Sequence, residues 1–357
     1  MASITSSPDT GVWTLSAPPY TASVCPARGA ELCSLTFHGE ELLHRALNFE
    51  APPKGEWYGH GQLLFPAVGR HRDGSYTWEG QHRPMPLHGL AMGAPFPPPC
   101  AVVAGATTCS LRCEASEAAL PAAAAAASFP FPFSLAVTFT LDAARGLAVR
   151  HEVTSRREAG NLPFAIGNHI SFRFPFAPGG APLPEQQRLW AAGRLRGAVA
   201  AQLELAPGSL LSGAAAPAPL FSSPGGCPLD APGATDGVFA VGDGGGVTLD
   251  DSRLCVRVAQ GLFPPSGGGS AGAACDWAKL GRDAALVVLW GAPPGAPETG
   301  VAGTGFLCVE PWLGGPDALN GGSGAAAVLQ PGETCAWEFT VGASNVLSSE
   351  TFPYVGR

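Results

Sequence analysis

Apolar positions along the chain fall mostly into short runs that alternate with polar positions and end at Gly, Pro, Asp or Ser. A period of two is typical of a half-buried β-strand, whereas an amphipathic helix repeats its apolar positions every three to four residues. The clearest strand-like segments are 13–17, 20–24, 31–37, 135–141, 147–154, 246–249, 254–258, 285–290 and 336–341. Residues 75–79 and 83–87 have the pattern of a β-hairpin with Gly80 in its turn.

Many short strands spread over the whole length predict an all-β fold, a large sandwich of antiparallel sheets with few short helices. Strand-like segments with the same alternating pattern occur along the whole chain, so we interpret residues 1–357 as a single domain. Three segments have the composition of loop insertions: alanine-rich 118–128, Pro/Ala/Gly-rich 214–233 and glycine-rich 264–275. The sequence leaves open whether 118–128 forms a short helix or a flexible loop.

Composition narrows the class of partner. The formal net charge is −8 and only 13% of residues are charged, which argues against nucleic acid because phosphate binding requires a basic surface. No apolar run reaches the length of about 18 residues that a membrane-spanning helix needs. Glycine and proline are abundant, at 48 and 36 residues, but 46% of the chain is hydrophobic and sufficient for a core.

Cysteine usage predicts free thiols. The chain has ten cysteines and no C-x-x-C pair, so the spacing does not predict a zinc site. Residues 1–8 lack the basic and apolar regions of a secretory signal. We therefore expect buried, reduced cysteines and a cytoplasmic location.

Four local clusters contain side chains able to carry out chemistry. They are 63–74 with Arg70, 86–91 with His88, 164–172 with His169, and 306–312 with Glu310. Taken alone, each histidine could be structural and Arg70 could be a surface residue. Glu310 is less ordinary, because a carboxylate at the end of an apolar run is costly to bury unless it is paired or functional. Such a set suits a glycosidase, an isomerase or a metal site, so spacing alone does not name the reaction.

In this order the clusters resemble the aldose 1-epimerase (mutarotase) family, and most closely its LacX-like branch. The matching residues are Phe65-Pro66, Gly69-Arg70, Asp73-Gly74, Tyr76, His88-Gly89-Leu90-Ala91, Gly167-Asn168-His169-Ile170-Ser171-Phe172, Cys308-Val309-Glu310-Pro311-Trp312-Leu313-Gly314 and Asp317. The resemblance extends over roughly residues 10–345. Two positions depart from the family pattern: Met92 stands where relatives often have arginine, and Ile170 where they often have proline.

The resemblance implies a galactose mutarotase-like supersandwich that interconverts the α and β anomers of a free hexose. Glu310 would be the general base at the C1 hydroxyl, and His169 the general acid at the ring oxygen. The residues implied to contact the sugar are Arg70, His88, Asn168, Trp312 and Asp276, with Trp277 as an alternative to Trp312 for packing on the sugar ring. No metal or organic cofactor is implied, and the protein would be a monomer or a homodimer.

Two other functions remain open at this point. A hexose-6-phosphate 1-epimerase would need cations around the phosphate, and Arg70, Arg72, Arg83 and Arg173 are available. A sugar-binding protein could also keep this fold without catalysis. A hydrolase is disfavoured, because it needs two carboxylates flanking one bond and the sequence offers no convincing partner for Glu310.

Overall fold

Antiparallel strands dominate the structure, as the period-two pattern predicts. The computed structural model describes residues 1–50, 53–176, 181–218, 221, 225–231, 233–241, 245–262, 285–300, 303–321 and 326–345. The strands in these ranges are β1 (Ser3–Ser6), β2 (Trp13–Ala17), β3 (Tyr20–Cys25), β4 (Glu31–Phe37), β5 (Glu40–Glu41), β6 (Gly61–Leu64), β7 (Ser75–Trp78), β8 (Gln81–Pro84), β9 (Ala101–Ala104), β10 (Thr108–Ser116), β11 (Phe133–Asp142), β12 (Gly146–Ser155), β13 (Leu162–Phe164), β14 (Ile166–Arg173), β15 (Arg194–Ala198), β16 (Ala201–Ala206), β17 (Leu210–Ala216), β18 (Cys227–Pro228), β19 (Asp236–Ala240), β20 (Gly246–Asp250), β21 (Leu254–Leu262), β22 (Ala285–Ala292), β23 (Phe306–Leu313), β24 (Ala327–Leu329) and β25 (Thr334–Asn345).

Two large sheets form the body of the described protein. The first has 12 strands in the order β1-β2-β3-β4-β6-β14-β23-β22-β19-β16-β17, with β5 paired to β4. The second has nine strands in the order β18-β15-β20-β21-β25-β12-β11-β10-β9. The smaller pairs are β13 with β24 and β7 with β8, and the strand pairs of all these sheets are antiparallel. The fold is therefore the predicted all-β sandwich of antiparallel sheets.

The main core lies between the two large sheets and is rich in aromatic side chains. Strand β11 alternates buried and less buried positions along much of its length, which is the burial pattern of a strand with one face in the core. Strands β14 and β23 differ because nearly every residue in them is buried. One face of each packs into the sandwich, so loops or neighbouring side chains must cover the other face.

The hairpin and the alanine-rich segment refine the sequence predictions. The hairpin forms at β7–β8 with Glu79 and Gly80 in its turn, although its second strand begins at Gln81 rather than at 83. In 118–128, a 3₁₀ turn at Glu117–Ala119 is followed by helix α1 (Ala122–Ser128), so this segment contains a short helix. The 214–233 segment is described only in part, and 264–275 lies outside the described residues.

A second helix, α2 (Leu183–Ala192), was not predicted, although Pro182 before it and Glu185 in its first turn are typical helix-start residues. Trp190 is its buried residue and packs edge-on against Phe174, with ring centroids 5.7 Å apart. In the described part of the chain, no helix is long and apolar enough to cross a membrane.

One ionisable side chain lies deep inside the sandwich. His151 on β12 is 1% exposed and packs against both Trp337 and Phe339 of β25, at ring-centroid distances of 4.9 and 5.9 Å. Burial lowers the pKa of His151 from 6.5 to about 3, and the nearby side chain of Asn168 opposes this shift only partly. The folded protein therefore holds His151 neutral.

This buried histidine should make stability fall on acidification. Between pH 6.5 and about 3 the unfolded chain binds a proton that folded His151 excludes, so His151 favours unfolding progressively as the pH falls. One such group changes the free energy of unfolding by at most about 1.4 kcal/mol per pH unit. His151→Phe should flatten the pH dependence of the unfolding free energy, measured by urea titration from pH 7 to 4. His82→Gln, at an exposed position, is the control, and an equal slope in His151→Phe and wild type would contradict the prediction.

Candidate active site

The strand register brings His169 and Glu310 together. Gly167 pairs with Trp312 and Ile170 with Val309 across β14 and β23, which places His169 opposite Glu310. Their side chains point to the same face of the first sheet, with Nε2 of His169 lying 3.3 Å from a carboxylate oxygen of Glu310. Both residues are buried, at 5% and 2% exposure. Two proton-transfer groups thus share one small site.

A cavity of about 310 Å³ opens onto this pair. Its volume falls within the usual range for small-molecule sites. The polar side chains that line it are Arg70, His88, His169, Ser209, Asp236 and Glu310, and the aromatic ones are Trp57, Trp290 and Trp312. Flat apolar walls with a few converging polar groups are suited to a small polyhydroxy ligand.

Trp57 forms an aromatic cover over His169. Its ring stacks on the imidazole with centroids 4.6 Å apart and planes at 29°. The indole N–H donates a 2.8 Å hydrogen bond to Oγ of Ser171, two residues along β14 from His169. Trp290 stands nearly perpendicular to Trp57, with centroids 5.0 Å apart. Together these rings shield the imidazole from water and fix its plane.

The His88 loop is hydrogen-bonded to Gly69, in the segment that follows β6. Gly69 N–H donates to Nδ1 of His88 at 3.2 Å, and His88 N–H donates to the Gly69 carbonyl at 3.0 Å. Because Nδ1 accepts a hydrogen bond, a neutral His88 carries its proton on Nε2 and can donate from there. Burial and the charge of Arg70 lower the pKa of His88 to about 4, so this imidazole is neutral at pH 7.

The Arg70 loop is held by Asp317, which lies in the segment after β23. Asp317 N–H donates to the Arg70 carbonyl at 2.8 Å, and the Asp317 carboxylate accepts from the Arg72 N–H at 3.0 Å. Asn320 also donates to that carboxylate, at 2.7 Å. Asp317 therefore braces the segment that presents the exposed Arg70 side chain to the cavity.

Burial moves the pKa values of the central pair in opposite directions. It raises the pKa of the Glu310 carboxyl well above its usual range. The nearby indole of Trp312 lowers that pKa by a smaller amount, although its N–H is not in hydrogen-bond geometry. Burial also lowers the pKa of His169, and the neighbouring His88 adds to this effect. Burial therefore favours the carboxylic acid form of Glu310 and the neutral imidazole form of His169.

The structure brings most, but not all, of the predicted site residues together. Arg70, His88, His169, Glu310 and Trp312 line the same cavity. By contrast, the Asn168 side chain points to the other face of β14, beside His151 in the sandwich interior, because successive residues on a strand face opposite ways. This placement corrects the expectation that Asn168 contacts a ligand in this cavity.

Three further positions were singled out in the sequence. Asp276 and Trp277 lie outside the described residues. Met92 is 41% exposed and is not part of the cavity wall.

The sequence analysis missed several lining residues, and three of them bear most on the chemistry of the site. They are Trp57 in the loop before β6, Trp290 on the apolar strand β22, and Asp236 at the start of β19. On β22, Val288 pairs with Glu310 and Trp290 pairs with Cys308 of β23. Once this register is known, the alternation of side chains predicts that Trp290 lies on the same face of the sheet as Glu310. No local pattern identifies Trp57 or Asp236, because loop packing and a distant strand bring them to the site.

One group of side chains that includes His169 and Glu310 has the chemistry of metal ligands. One ligand atom from each of His169, Cys308 and Glu310 lies within 4.8 Å of the others, and all three residues are buried. Sequence spacing gave no sign of this group, since the cysteine is far in sequence from the histidine.

Solved structures define the fold class. A galactose mutarotase-like protein from Clostridium acetobutylicum superposes with a TM-score of 0.69 at 16% identity, over 94% of this chain and 95% of that one. A galactose mutarotase-like protein from Lactobacillus casei gives 0.65 at 20% identity, over 94% and 100% of the two chains. A galactose 1-epimerase from Lactobacillus acidophilus gives 0.65 at 13% identity, over 97% and 99%.

The sequence itself identifies the family. Residues 11–189 match the family model for aldose 1-epimerase, and the chain belongs to that family. No curated protein sequence matches it significantly. The matched part contains Arg70, His88 and His169, whereas Glu310 lies beyond it.

The glycine after His88 should be essential for the shape of this loop. Gly89 has φ +79°, and a Cβ there would lie 2.5 Å from the Phe65 backbone oxygen. Gly80 has a similar φ of +74° but open space around it. Gly89→Ala should therefore lower the unfolding free energy by about 1–3 kcal/mol more than Gly80→Ala, since only the first adds crowding to backbone strain. Urea denaturation of both variants measures this difference, and equal losses would contradict the crowding.

Proposed function

We propose that the protein is an aldose 1-epimerase that interconverts the anomers of a free hexose by acid–base ring opening, with Glu310 as base and His169 as acid. Family membership supports a sugar epimerase. The observation that carries the assignment is the 3.3 Å separation of Nε2 of His169 and the Glu310 carboxylate. The hydroxyl and ring oxygens of a sugar's anomeric centre are bonded to one carbon. Two groups this close can therefore each reach one of those oxygens.

The reaction needs two proton transfers and no change in the total number of protons. The Glu310 carboxylate takes the proton of the C1 hydroxyl and a C1 carbonyl forms. The bond between C1 and the ring oxygen breaks, its electron pair stays on that oxygen, and the oxygen takes a proton from the His169 imidazolium. Rotation about the C1–C2 bond and the reverse transfers on the other carbonyl face then give the other anomer.

The electrostatics of the pair fit this cycle. After ring opening, Glu310 is a neutral acid and His169 a neutral imidazole, which are the forms that burial favours. On ring closure Glu310 returns its proton to the C1 oxygen and His169 takes the proton of the ring hydroxyl, which regenerates the carboxylate and the imidazolium. A bound sugar supports these charged forms, because its C1 hydroxyl donates to the carboxylate and its ring oxygen accepts from the imidazolium.

The other polar groups are available to orient the sugar. His88 offers an Nε2–H donor, Arg70 offers a guanidinium, and Asp236 accepts hydrogen bonds from hydroxyl groups. The rings of Trp57 and Trp290 provide apolar surface for the C–H face of a sugar.

Charge in the cavity favours an unphosphorylated substrate. Among the described lining residues, Arg70 is the single arginine and no lysine is present, while Asp236 adds a negative charge. A phosphate ester is usually bound by several cationic or N–H donors. The cavity therefore supports a free hexose over a hexose 6-phosphate.

Substitution of either member of the pair should remove most of the activity. Glu310→Gln and His169→Asn should each slow anomerisation of freshly dissolved α-glucose or α-galactose by about 10²–10⁴-fold, the usual contribution of one acid–base group. Polarimetry measures the rate, and circular dichroism checks the fold. Glu114→Gln and His82→Asn, at exposed positions, are matched controls. Near-normal kcat in either pair variant, or no acceleration by wild type with several aldoses, would reject the assignment.

Phosphorylation of the substrate should reduce the rate. We expect kcat/KM for glucose 6-phosphate to be about tenfold or more below that for glucose, because Asp236 repels a phosphate that a single arginine must hold. Asp236→Asn should narrow this gap, whereas Glu204→Gln, an exposed change on β16 outside the cavity wall, should not. NMR exchange measurements on both sugars give the ratio, and a preference for the phosphorylated sugar would favour the hexose-6-phosphate epimerase.

A further inference from the structure

Cys308 places a fully buried thiol beside the His169–Glu310 pair. It lies two residues before Glu310 on β23, so both side chains project from the same face of the first sheet. Its strand partner on β14 is Ser171, which lies two residues beyond His169, and the Cys308 and Ser171 side chains are 3.3 Å apart. The strand register therefore gathers a thiol, an imidazole and a carboxylate at one point.

These three groups are close enough to share one ion. Their ligand atoms all lie within 4.8 Å of one another, and the closest measured pair, His169 Nε2 and Glu310 Oε1, is 3.3 Å apart. In a tetrahedral zinc site the bond lengths separate neighbouring ligand atoms by about 3.3–3.8 Å. Small side-chain rotations would bring the thiol to that distance. Among the described residues, no other group of three such ligands comes together.

Two buried polar atoms of the central pair have no hydrogen-bond partner among the described residues. Glu310 is 2% exposed, and its second carboxylate oxygen has no hydrogen-bond partner in the described part of the chain. The same is true of Nδ1 of His169. A buried polar atom without a partner is costly, so a bound cation would relieve an existing penalty at Glu310.

We propose that His169, Cys308 and Glu310 form a binding site for a thiophilic divalent cation such as Zn²⁺, and that the bound cation inhibits the enzyme. Cysteine, histidine and glutamate are the ligand types that zinc accepts, and three protein ligands leave a fourth position open to the cavity. Coordination releases the thiol proton of Cys308 and the carboxyl proton of Glu310 to solvent, since the thiolate and the carboxylate are the ligands. The inhibition, but not the binding, rests on the proposed function.

Inhibition follows from the shared atoms. Nε2 of His169 and the Glu310 carboxylate cannot bind a cation and exchange protons with a sugar at the same time. The cation and the sugar therefore compete for the base of the same cavity. We expect a hexose to protect the protein against the cation, and a chelator to restore activity.

Cobalt absorption tests the binding directly, without any measurement of activity. Chelator-treated protein is titrated with Co²⁺, and thiolate-to-Co²⁺ charge-transfer absorption is followed in the near ultraviolet. Wild type should give a saturable band, which Cys308→Ser and Cys308→Ala should remove. Cys100→Ser, at the exposed cysteine, is the control and should keep the band. Absence of the band in wild type, or its survival in correctly folded Cys308 variants, would overturn the site.

His169→Asn provides an independent arm if the Cys308 variants fold poorly. It keeps the thiol and should weaken Co²⁺ binding by at least about 10–100-fold, the range seen for loss of even an outer partner of a metal ligand. Unchanged Co²⁺ affinity in folded His169→Asn would also count against the site.

Zinc inhibition tests the consequence. Each protein's anomerisation rate is compared with its own rate without Zn²⁺, and Cys308→Ser should need at least about tenfold more Zn²⁺ for half-inhibition. Equal sensitivity of wild type and Cys308→Ser would refute inhibition through this site. A protein that binds Co²⁺ through Cys308 but accelerates no sugar would instead refute the proposed function and leave the cation site standing.

Discussion

The antiparallel pairing of β14 with β23 is the constraint on which the rest of the site depends. It places an imidazole and a carboxylate side by side on one face of a sheet whose other face is the core of the sandwich. A shift of either strand by one residue would turn its side chain into that core, because the side chains of a strand alternate. The extensive hydrogen bonding of β14 to β6 and β23 thus fixes the chemistry as well as the fold.

Burial gives this pair its properties. In a poorly solvated site, a carboxylic acid and a neutral imidazole are favoured over the corresponding ions, yet both forms hold the same number of protons. A bound ligand can therefore shift the proton across the pair with little involvement of bulk water. The indole ring stacked on His169 strengthens this effect by covering the imidazole. The same burial leaves lone pairs unused, which makes the pair and the adjacent Cys308 thiol attractive to a soft cation.

The loops around the cavity are held by backbone hydrogen bonds. The segments that carry Arg70 and His88 are joined to each other through Gly69, and the first of them is joined to Asp317 after β23. Such bonding orients the ligand-facing groups before a ligand arrives, which reduces the entropy lost on binding. Even the glycine after His88 serves this arrangement, because its backbone passes too close to Phe65 for any side chain.

The sequence by itself determined the fold class, eleven of the 25 described strands and five residues of the cavity wall. Alternating polarity is a local property, and the motifs around Arg70, His88, His169 and Glu310 are contiguous, so both can be read without a structure. Only the tertiary structure decided that Asn168 faces the core, and that Trp57, Trp290 and Asp236 join the site. It also brought Cys308 next to His169. These outcomes depend on strand register and on contacts between distant segments, which no local pattern encodes.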